Sequence, residues 1–333
     1  MMASDRLHGR VLVTGGAGFI GNQLCKALLK LGEDVTVLDN FSSGARGNLE
    51  LSSSQGRFNI IKGDCKNKGD VKKALAGVKT VFHFAANPEV RLDRSDPSTC
   101  FRENIYATHI LLEAIKNADV ETIVFASSST VYGDARLLPT PENYGPLEPI
   151  SYYGAAKLGS EGLISAHCHT YRRAAVILRL ANIIGPMSKH GVIRDFLTQV
   201  KNNPRKLRIL GDGNQTKSYL FIDDCISAIL RSVEFVHPSV NIFNVGSEDQ
   251  IIVKDIAKII LGEAGLNDVT FEFTRQLEEG RGWNGDVKRM LLDVRKLRSK
   301  GWRPKFSSED AVRITVKSLL RKSLHFTTEL MQG

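Results

Sequence analysis

The first half of the chain alternates short apolar runs with longer segments whose apolar positions recur at helical spacing. Such runs are typical of buried parallel strands, and the longer segments are typical of amphipathic helices. Strands are predicted at Val11–Val13, Glu33–Asp39, Phe58–Gly63, Thr80–Phe84, Thr122–Ala126 and Ala175–Leu180. Helices are predicted between them at Phe19–Leu31, Asp70–Ala76, Thr99–Asn117 and Tyr153–Tyr171. This order predicts a doubly wound parallel α/β sheet with helices on both faces.

A glycine-rich turn, in the sequence VLVTGGAGFIG, joins the first predicted strand to the first predicted helix. Gly15 favours a tight turn, Gly18 lets backbone amides approach a pyrophosphate, and Gly21 lets the helix lie close to the strand. The helix N-terminus offers unpaired amides and a positive dipole end to phosphates. The second predicted strand ends in Asp39, where a carboxylate can hydrogen-bond an adenosine ribose. Because no arginine stands beside it to hold a 2′-phosphate, the pattern predicts NAD rather than NADP.

The pattern changes after Gly185, where Gly and Pro interrupt the chain more often. Helices are predicted at Val192–Lys201, Asp223–Phe235, Val253–Ala264 and Ser308–Leu324, and strands at Leu207–Leu210, Tyr219–Ile222, Asn241–Val245 and Val269–Phe273. We interpret residues 1–185, rejoined by about 218–246, as an NAD-binding Rossmann domain. Residues 186–217 and 247–333 are interpreted as a smaller α/β lobe that binds the substrate.

Charge and cysteine content restrict the partners. The formal net charge is +9, from 45 Lys and Arg against 36 Asp and Glu. The basic residues are dispersed and not interleaved with aromatic residues, so an anionic small substrate fits the charge better than nucleic acid.

The five cysteines are far apart and include no CxxC pair, which predicts reduced thiols and no metal site. Since neither a long apolar run nor a signal-peptide pattern is seen, we expect a cytoplasmic protein without membrane contact.

Candidate chemistry lies at the end of the fifth strand and the start of the helix that follows. Tyr153 and Lys157 are four residues apart, which places them on one helix face. A nearby ammonium favours the phenolate and lowers the tyrosine pKa, so the tyrosine can take a proton from a sugar hydroxyl. In the run FASSSTVYG, Ser128 is placed to hydrogen-bond the reacting hydroxyl and the tyrosine oxygen. Ser127 and Ser129 are weaker candidates, because some of these hydroxyls must cap the turn.

These motifs, together with LDNFSSG, HFAA, YGAAK, LRLANIIGP and GDGNQTKSY, resemble the extended short-chain dehydrogenase/reductases. Within that family the chain is most similar to NAD-dependent nucleotide-sugar epimerases of the UDP-glucose 4-epimerase type and their archaeal relatives. The resemblance implies epimerisation at C4 of an NDP-hexose through a transient 4-keto sugar. It implies that Tyr153, as phenolate, removes the O4 proton, that Lys157 binds the nicotinamide ribose and tunes Tyr153, and that Ser128 is the third catalytic residue.

The resemblance also assigns binding residues by position. Cofactor binding is assigned to Gly15, Gly18, Phe19, Ile20, Gly21, Asp39, Asn40, Asp64, Cys65, Phe84, Ala85, Ala86, Ser127, Tyr153 and Lys157. Substrate binding is assigned to Ser128, Ser129, Asn182, Val192, Leu207, Ile209, Lys217, Arg281 and Asp286. Leu207 and Ile209 are expected to flank the nucleotide base, and Arg281 to clamp the diphosphate, with Asp286 near the nucleotide ribose. The implied partners are a UDP-sugar and a second copy of the chain, docked through Thr99–Asn117 and Tyr153–Tyr171.

Several positions depart from the family pattern, so the sequence does not determine which sugar the substrate carries. Lys217 stands where many members carry a phosphate-binding arginine, and Ala181 stands where an aromatic residue is common. Met290, an intermediate and flexible residue, falls where residue size governs acceptance of an N-acetyl group. Glucose and galactose, their N-acetyl forms and uronic acids therefore all stay candidates.

Two other functions fit the same fold. NDP-sugar dehydratases usually carry an Asp-Glu pair, and decarboxylases a Glu, where this chain has Ser129 and Thr130. The general acid–base groups for elimination are thus missing, which argues against both reactions. A non-enzymatic NAD-binding protein commonly lacks the tyrosine or the lysine, whereas both Tyr153 and Lys157 are present here.

Overall fold

The computed structural model of the chain describes residues 7, 9–49, 57–91, 96–236, 239–274 and 280–331, with side chains as far as residue 321. Its strands are β1 (Arg10–Thr14), β2 (Val35–Asp39), β3 (Phe58–Lys62), β4 (Val78–His83), β5 (Thr122–Ser128), β6 (Ala174–Leu180), β7 (Asn182–Ile184), β8 (Lys206–Leu210), β9 (Thr216–Lys217), β10 (Tyr219–Phe221), β11 (Val240–Val245), β12 (Ile251–Ile252), β13 (Thr270–Thr274) and β14 (Arg289–Met290). Seven of them form a parallel sheet in the order β11-β6-β5-β4-β1-β2-β3. The predicted doubly wound α/β sheet is confirmed.

The α-helices cover both faces of this sheet and extend into the second half of the chain. They are α1 (Phe19–Lys30), α2 (Lys68–Ala74), α3 (Pro97–Cys100), α4 (Ala107–Ile115), α5 (Tyr152–Tyr171), α6 (Val192–Asn202), α7 (Ile222–Val233), α8 (Val253–Glu263), α9 (Arg295–Arg298) and α10 (Ser308–Met331). The single helix predicted at Thr99–Asn117 is instead α3, a π-helical segment at Phe101–Tyr106, and α4. In the π-helical segment the Asn104 carbonyl accepts a hydrogen bond from the Thr108 hydroxyl at 2.6 Å.

Alternation along the strands separates two apolar layers. Val11 and Val13 of β1 point into a core shared with α1 and α7, whereas Leu12 between them points into a core shared with α4 and α5. Successive strand side chains face opposite sides, so a run of apolar residues serves both layers. The first layer continues into the second half of the chain, where it includes residues of β8, α8 and α10. The main sheet and the second half therefore share one continuous core.

Smaller sheets build the second half. β10 pairs with β7, β13 pairs with β8, and β9 lies between β12 and β14. β11 returns to the main sheet beside β6. None of the helices in the described part of the chain is long and apolar enough to cross a membrane. The sequence predicts a short loose leader at Met1–Gly9, and most of these residues lie outside the described part of the chain.

Candidate functional site

A cavity of about 1480 Å³ opens at the carboxyl ends of the central strands and is lined by residues of both halves of the chain. The strand order reverses next to β1, because the chain runs outward through β2 and β3 and then returns to β4 on the other side of β1. Ligands of open α/β sheets bind at this reversal. The fold therefore places a binding cavity where the glycine-rich turn emerges.

The glycine-rich turn forms the floor of this cavity. Gly15 has a φ of +71°, and a Cβ there would lie 2.7 Å from the amide nitrogen of Ala85. A Cβ on Gly21 would overlap the carbonyl oxygen of Gly15, so α1 can approach the turn only without one. The sequence reasoning missed Gly16, where a Cβ would lie 2.6 Å from Val37. Each of these glycines is required by a close backbone or side-chain approach.

The start of α1 is open to an anion. Within the described residues, no side chain caps its N-terminus and no acidic residue stands in its first turn. Gly18, Phe19 and Ile20 all line the cavity there. Helix N-termini with free amides bind phosphates. This turn therefore fits the pyrophosphate of a dinucleotide.

The acidic residues after β2 and β3 are held in place by the backbone. Asp39 accepts hydrogen bonds from the amides of Ala17 and Phe41, both at 2.8 Å, and each carboxylate oxygen keeps capacity for a ribose hydroxyl. Asn40 donates from Nδ2 to Asp64 at 3.0 Å. Burial works to raise the pKa of Asp64, but hydrogen bonds from neighbouring groups outweigh it and hold that pKa below the usual range. Both carboxylates thus face the cavity as ordered acceptors.

The first turn of α5 is fixed against the end of β5. Ser151 caps the helix and accepts a hydrogen bond from the Gly154 amide at 3.0 Å. A Cβ on Gly154 would lie 2.7 Å from the carbonyl oxygen of Thr130, so this turn packs directly on the serine-rich loop. Tyr153 lies within the turn and lines the cavity.

The three predicted catalytic residues meet at this point. The Ser128 side chain lies beside the Tyr153 hydroxyl, close enough to act against the rise of its pKa. Ser128 Oγ also accepts from the amide of Thr130 at 3.2 Å and from its hydroxyl at 2.9 Å. Lys157 donates from Nζ to the carbonyl oxygen of Ala126 at 2.7 Å, and its Nζ lies 5.8 Å from the centre of the Tyr153 ring. A tyrosine, a serine and an ammonium therefore surround one part of the cavity.

The tyrosine pKa differs from the sequence expectation. Burial raises the pKa of Tyr153 to about 12, with only partial opposition from the Ser128 side chain. Burial also lowers the pKa of Lys157 to about 8, and the negative charge of Glu161 opposes this. The expected lowering fails because burial dominates, and Lys157 donates to the Ala126 carbonyl oxygen instead of to Tyr153. The protein alone therefore favours the phenol, and a cationic ligand beside the ring has to supply the rest of the stabilisation of the phenolate.

Ser127 needs a correction as a cofactor ligand. Its hydroxyl donates to Glu161, a residue that the sequence reasoning missed. Glu161 in turn forms an ion pair with Arg179 at 2.7 Å, and both charged side chains are almost fully buried. Because successive side chains of β5 point to opposite faces of the sheet, Ser127 and Ser128 have different neighbours. The proton of the Ser127 hydroxyl is therefore not available to a ligand.

Most other predicted residues lie on the cavity wall. The predicted cofactor residues there are Gly15, Gly18, Phe19, Ile20, Gly21, Asp39, Asn40, Asp64, Cys65, Phe84, Ala85 and Ala86. The predicted substrate residues there are Ser128, Ser129, Asn182, Val192, Lys217 and Asp286.

Leu207 and Ile209 are wrong as base-flanking residues. Both are fully buried in the apolar core and do not belong to the cavity wall. Arg208 and Leu210, their neighbours on the opposite face of β8, line the cavity instead. The register of the prediction was one residue off, which in a strand exchanges the two faces. The signal was available in KLRIL, where the apolar residues most suited to a core alternate with an arginine.

Arg281 is also misplaced by the sequence reasoning. Its guanidinium forms an ion pair with Asp134 at 2.9 Å and donates to the Asp286 carbonyl oxygen at 2.7 Å, and it is not part of the cavity wall. Lys217 is on that wall, with Nζ 2.5 Å from Asp286 Oδ1 and 5.0 Å from the centre of the Trp283 ring. An acidic loop residue distant in sequence thus holds Arg281 outside the cavity.

All five cysteines are buried, and none of them is in a disulfide bond. Over the described ranges, no group of three or more His, Cys, Asp or Glu side chains is arranged to hold a metal ion.

Comparison with known proteins agrees with this geometry. The family model described as "NAD dependent epimerase/dehydratase family" matches residues 11–246. The putative UDP-glucose 4-epimerase of Methanocaldococcus jannaschii is 31% identical, over 92% of this chain and 97% of the relative. The crystal structure of a UDP-galactose 4-epimerase is 40% identical with a TM-score of 0.84, covering 94% of this chain and 99% of that one.

Similarity also extends to a relative that acts on another sugar. A tyrosine-to-phenylalanine mutant of the UDP-glucuronic acid 4-epimerase of Bacillus cereus, solved in complex with UDP-4-deoxy-4-fluoro-glucuronic acid and NAD, is 29% identical with a TM-score of 0.84. It covers 94% of this chain and 99% of its own. Relatives with hexose and uronic acid substrates are thus about equally similar in fold. On sequence, structure and site together, the chain belongs to the NAD-dependent epimerase/dehydratase family, within the extended short-chain dehydrogenase/reductases.

Proposed function

We propose that the protein interconverts UDP-glucose and UDP-galactose by epimerisation at C4. The observation that carries the proposal is the contact of Tyr153 with Ser128 on the cavity wall, with Lys157 beside them. The positions where an eliminating enzyme needs carboxylates hold Ser129 and Thr130. Such a site can move one proton at a sugar hydroxyl but has no second acid there to expel water.

Each catalytic side chain has a role that follows from its contacts. Bound NAD supplies the chemistry of accepting and returning a hydride at C4. Tyr153 takes the O4 proton when its phenolate is stabilised, and Ser128 has a single proton to donate, to the tyrosine oxygen in the free site and to the sugar O4 when the substrate is bound. Thr130 donates both its amide and its hydroxyl to Ser128, so the single proton of Ser128 is left to point at the reacting oxygen. Lys157 places a positive charge beneath the site.

The second half of the chain supplies the groups for the UDP moiety. Arg208 and Lys217 place positive charge on the cavity wall, where a diphosphate needs it. Asn182 and Val192 lie on the same wall. We assign these side chains to the nucleotide, which makes the lobe formed by residues 186–217 and 247–333 the substrate lobe.

Incubation with UDP-galactose deuterated at C4 tests the reaction. We expect UDP-glucose that keeps the deuterium at C4, formed without added oxidant, and NAD released from the purified protein on denaturation. Loss of the label to solvent, or a product lighter by one water, contradicts the proposal. UDP-N-acetylglucosamine and UDP-glucuronic acid are assayed in parallel, and a higher kcat/KM for either one replaces the hexose assignment while keeping the C4 chemistry.

We also propose a homodimer that docks through the helices around Phe101 and Tyr152. Phe101, Tyr106 and Tyr152 are large apolar side chains that are 56%, 41% and 56% exposed. Exposed aromatic residues clustered on neighbouring helices are typical of interfaces. Analytical ultracentrifugation should give twice the chain mass for the wild type and the chain mass for Phe101→Asp. A wild-type monomer at all concentrations contradicts this.

A further inference from the structure

We propose that Glu161 is a positioning residue, which binds the end of β5 to the catalytic face of α5 through Ser127 and thereby sets the approach of Ser128 to Tyr153. The inference rests on the proposed function, because it concerns the same catalytic groups. Glu161 itself is not part of the cavity wall, and its side chain is only 6% exposed. It acts on the reaction only through its neighbours.

Three successive residues at the end of β5 each contact α5. The contacts join the Ala126 carbonyl oxygen to Lys157 Nζ, Ser127 Oγ to Glu161 Oε1, and the Ser128 side chain to the Tyr153 hydroxyl. The three α5 partners stand four residues apart, so they share one face of the helix. The contacts of Lys157 and Glu161 are both formed by buried charged groups, and charge-assisted hydrogen bonds are the strongest of their kind. Together they fix the strand end against the helix, and the Glu161 contact lies between the other two.

Arg179 makes this contact rigid. It is the register partner of Ser127 on the neighbouring strand β6. Its guanidinium binds Glu161 through two nitrogens, at 3.0 Å from Nε to Oε1 and at 2.7 Å from Nη2 to Oε2. It also donates to the carbonyl oxygen of Glu142 at 3.2 Å. One carboxylate is thus held by two adjacent strands, which leaves it little freedom to move.

Glu161 also determines the charge near Lys157. The other titratable groups facing Lys157 are Tyr153 on α5 and His83 on β4. Burial lowers the pKa of His83 to about 3, so the imidazole is neutral at pH 7, and Tyr153 is a neutral phenol in the protein alone. Glu161 is the anion that opposes deprotonation of Lys157. Loss of its charge should move the pKa of Lys157 further below about 8.

Ser127→Ala tests the positioning role while keeping the ion pair of Glu161 with Arg179. We expect kcat to fall roughly 10- to 100-fold, the effect of a small misplacement of reacting groups, with KM and NAD content unchanged. Ser232→Ala is the matched control, since this buried serine donates only to the Ile229 carbonyl oxygen within α7, remote from the cavity. Its kcat should stay within twofold of wild type. In a crystal structure of Ser127→Ala, the Ser128 Oγ to Tyr153 hydroxyl distance should lengthen.

Glu161→Gln adds a readout that simple loss of stability does not change. Because Lys157 has to be protonated, activity falls as pH rises through its pKa. The falling limb of the pH profile should therefore begin at a lower pH in Glu161→Gln than in wild type, while Ser127→Ala should keep the wild-type limb.

An unchanged kcat in Ser127→Ala, or a loss that matches its unfolded fraction, overturns the positioning role. If the falling limb of the pH profile is at the same pH in a folded Glu161→Gln variant as in wild type, the proposed effect of Glu161 on the charge of Lys157 is overturned. Failure of the proposed function is distinguished from both, since it would leave the wild type inactive on every nucleotide sugar.

Discussion

The two walls of the cavity hold their polar groups in different ways. On the cofactor wall, formed by the glycine-rich turn, Asp39 and the end of β5, the charged side chains bond to backbone groups, as Asp39 does to two amides and Lys157 to a carbonyl oxygen. On the substrate wall, formed by β8, Lys217 and residues 283–290, side chains bond to one another. Lys217 pairs with Asp286, and Arg91 on the adjoining loop pairs with Asp195.

This difference separates fixed groups from exchangeable ones. Backbone groups of a sheet cannot move without breaking the sheet, so the cofactor wall is preorganised, which is what electrostatic catalysis requires. An exposed ion pair between side chains, such as Arg91 with Asp195, can be exchanged for an ion pair with a ligand anion at little cost. We therefore expect changes on the cofactor wall to act on kcat or NAD content, and changes on the substrate wall to act on KM and its salt dependence.

The largest expected effect is that of Tyr153→Phe on the cofactor wall. Removal of the proton acceptor should lower kcat by roughly 10²- to 10⁴-fold, the usual contribution of a general base, while NAD content and fold persist. Tyr171→Phe is the matched control, because this tyrosine at the other end of α5 is 38% exposed and does not line the cavity. Steady-state assays with UDP-galactose measure both. Near wild-type turnover in Tyr153→Phe would remove the catalytic assignment.

The next effect concerns Gly21 in the glycine-rich turn. Gly21→Ala places a Cβ against the Gly15 carbonyl oxygen, so the turn has to shift and the purified protein should contain little NAD. Gly162→Ala is the control, since a Cβ there meets nothing within 4 Å and alanine favours the helix by about 1 kcal/mol. NAD released on denaturation is measured by absorbance. Full NAD content in Gly21→Ala would contradict a preorganised wall.

Arg208 and Leu207 test the two faces of β8. Arg208→Ala should raise the KM for UDP-galactose about tenfold, as expected for a lost hydrogen bond to a charged group, with kcat unchanged. Leu207→Ala should instead cost about 2–5 kcal/mol of unfolding free energy, because it leaves a cavity in the core. Urea unfolding and steady-state kinetics separate the two. A KM effect confined to Leu207→Ala would restore the original assignment of the base-flanking residues.

The smallest effect is expected for Lys217→Arg. An arginine fork can keep the contact with Asp286 and offer further donors to a diphosphate, so KM should fall by about threefold, a small change because Lys217 already supplies a positive charge at this position. The decrease should be smaller at high salt, because salt screens the attraction between the arginine and a diphosphate. A change in kcat alone would mean that Lys217 contacts the reacting end of the substrate instead.

The placement of residues next to strand ends could be predicted from the sequence. The placement of residues that depends on which face of a strand they occupy, or on the course of a loop, could not. Gly15, Asp39 and Asp64 follow or end parallel strands, and parallel topology brings the carboxyl ends of neighbouring strands to one edge. Leu207 failed because a shift of one residue exchanges the faces of a strand. Arg281 failed because its position depends on Asp134, which is distant in the sequence.

The sequence by itself determined the family, the parallel sheet and the glycine-rich turn, and it predicted Ser128, Tyr153 and Lys157 as the catalytic residues. These features depend on local sequence patterns and on the parallel topology that the alternation of strands and helices dictates. Only the tertiary structure decided that Ser127 turns to Glu161, that Arg208 rather than Leu207 lines the cavity, and that burial raises the pKa of Tyr153. Each depends on what is packed around a side chain, because burial and pairing are set by neighbours distant along the chain.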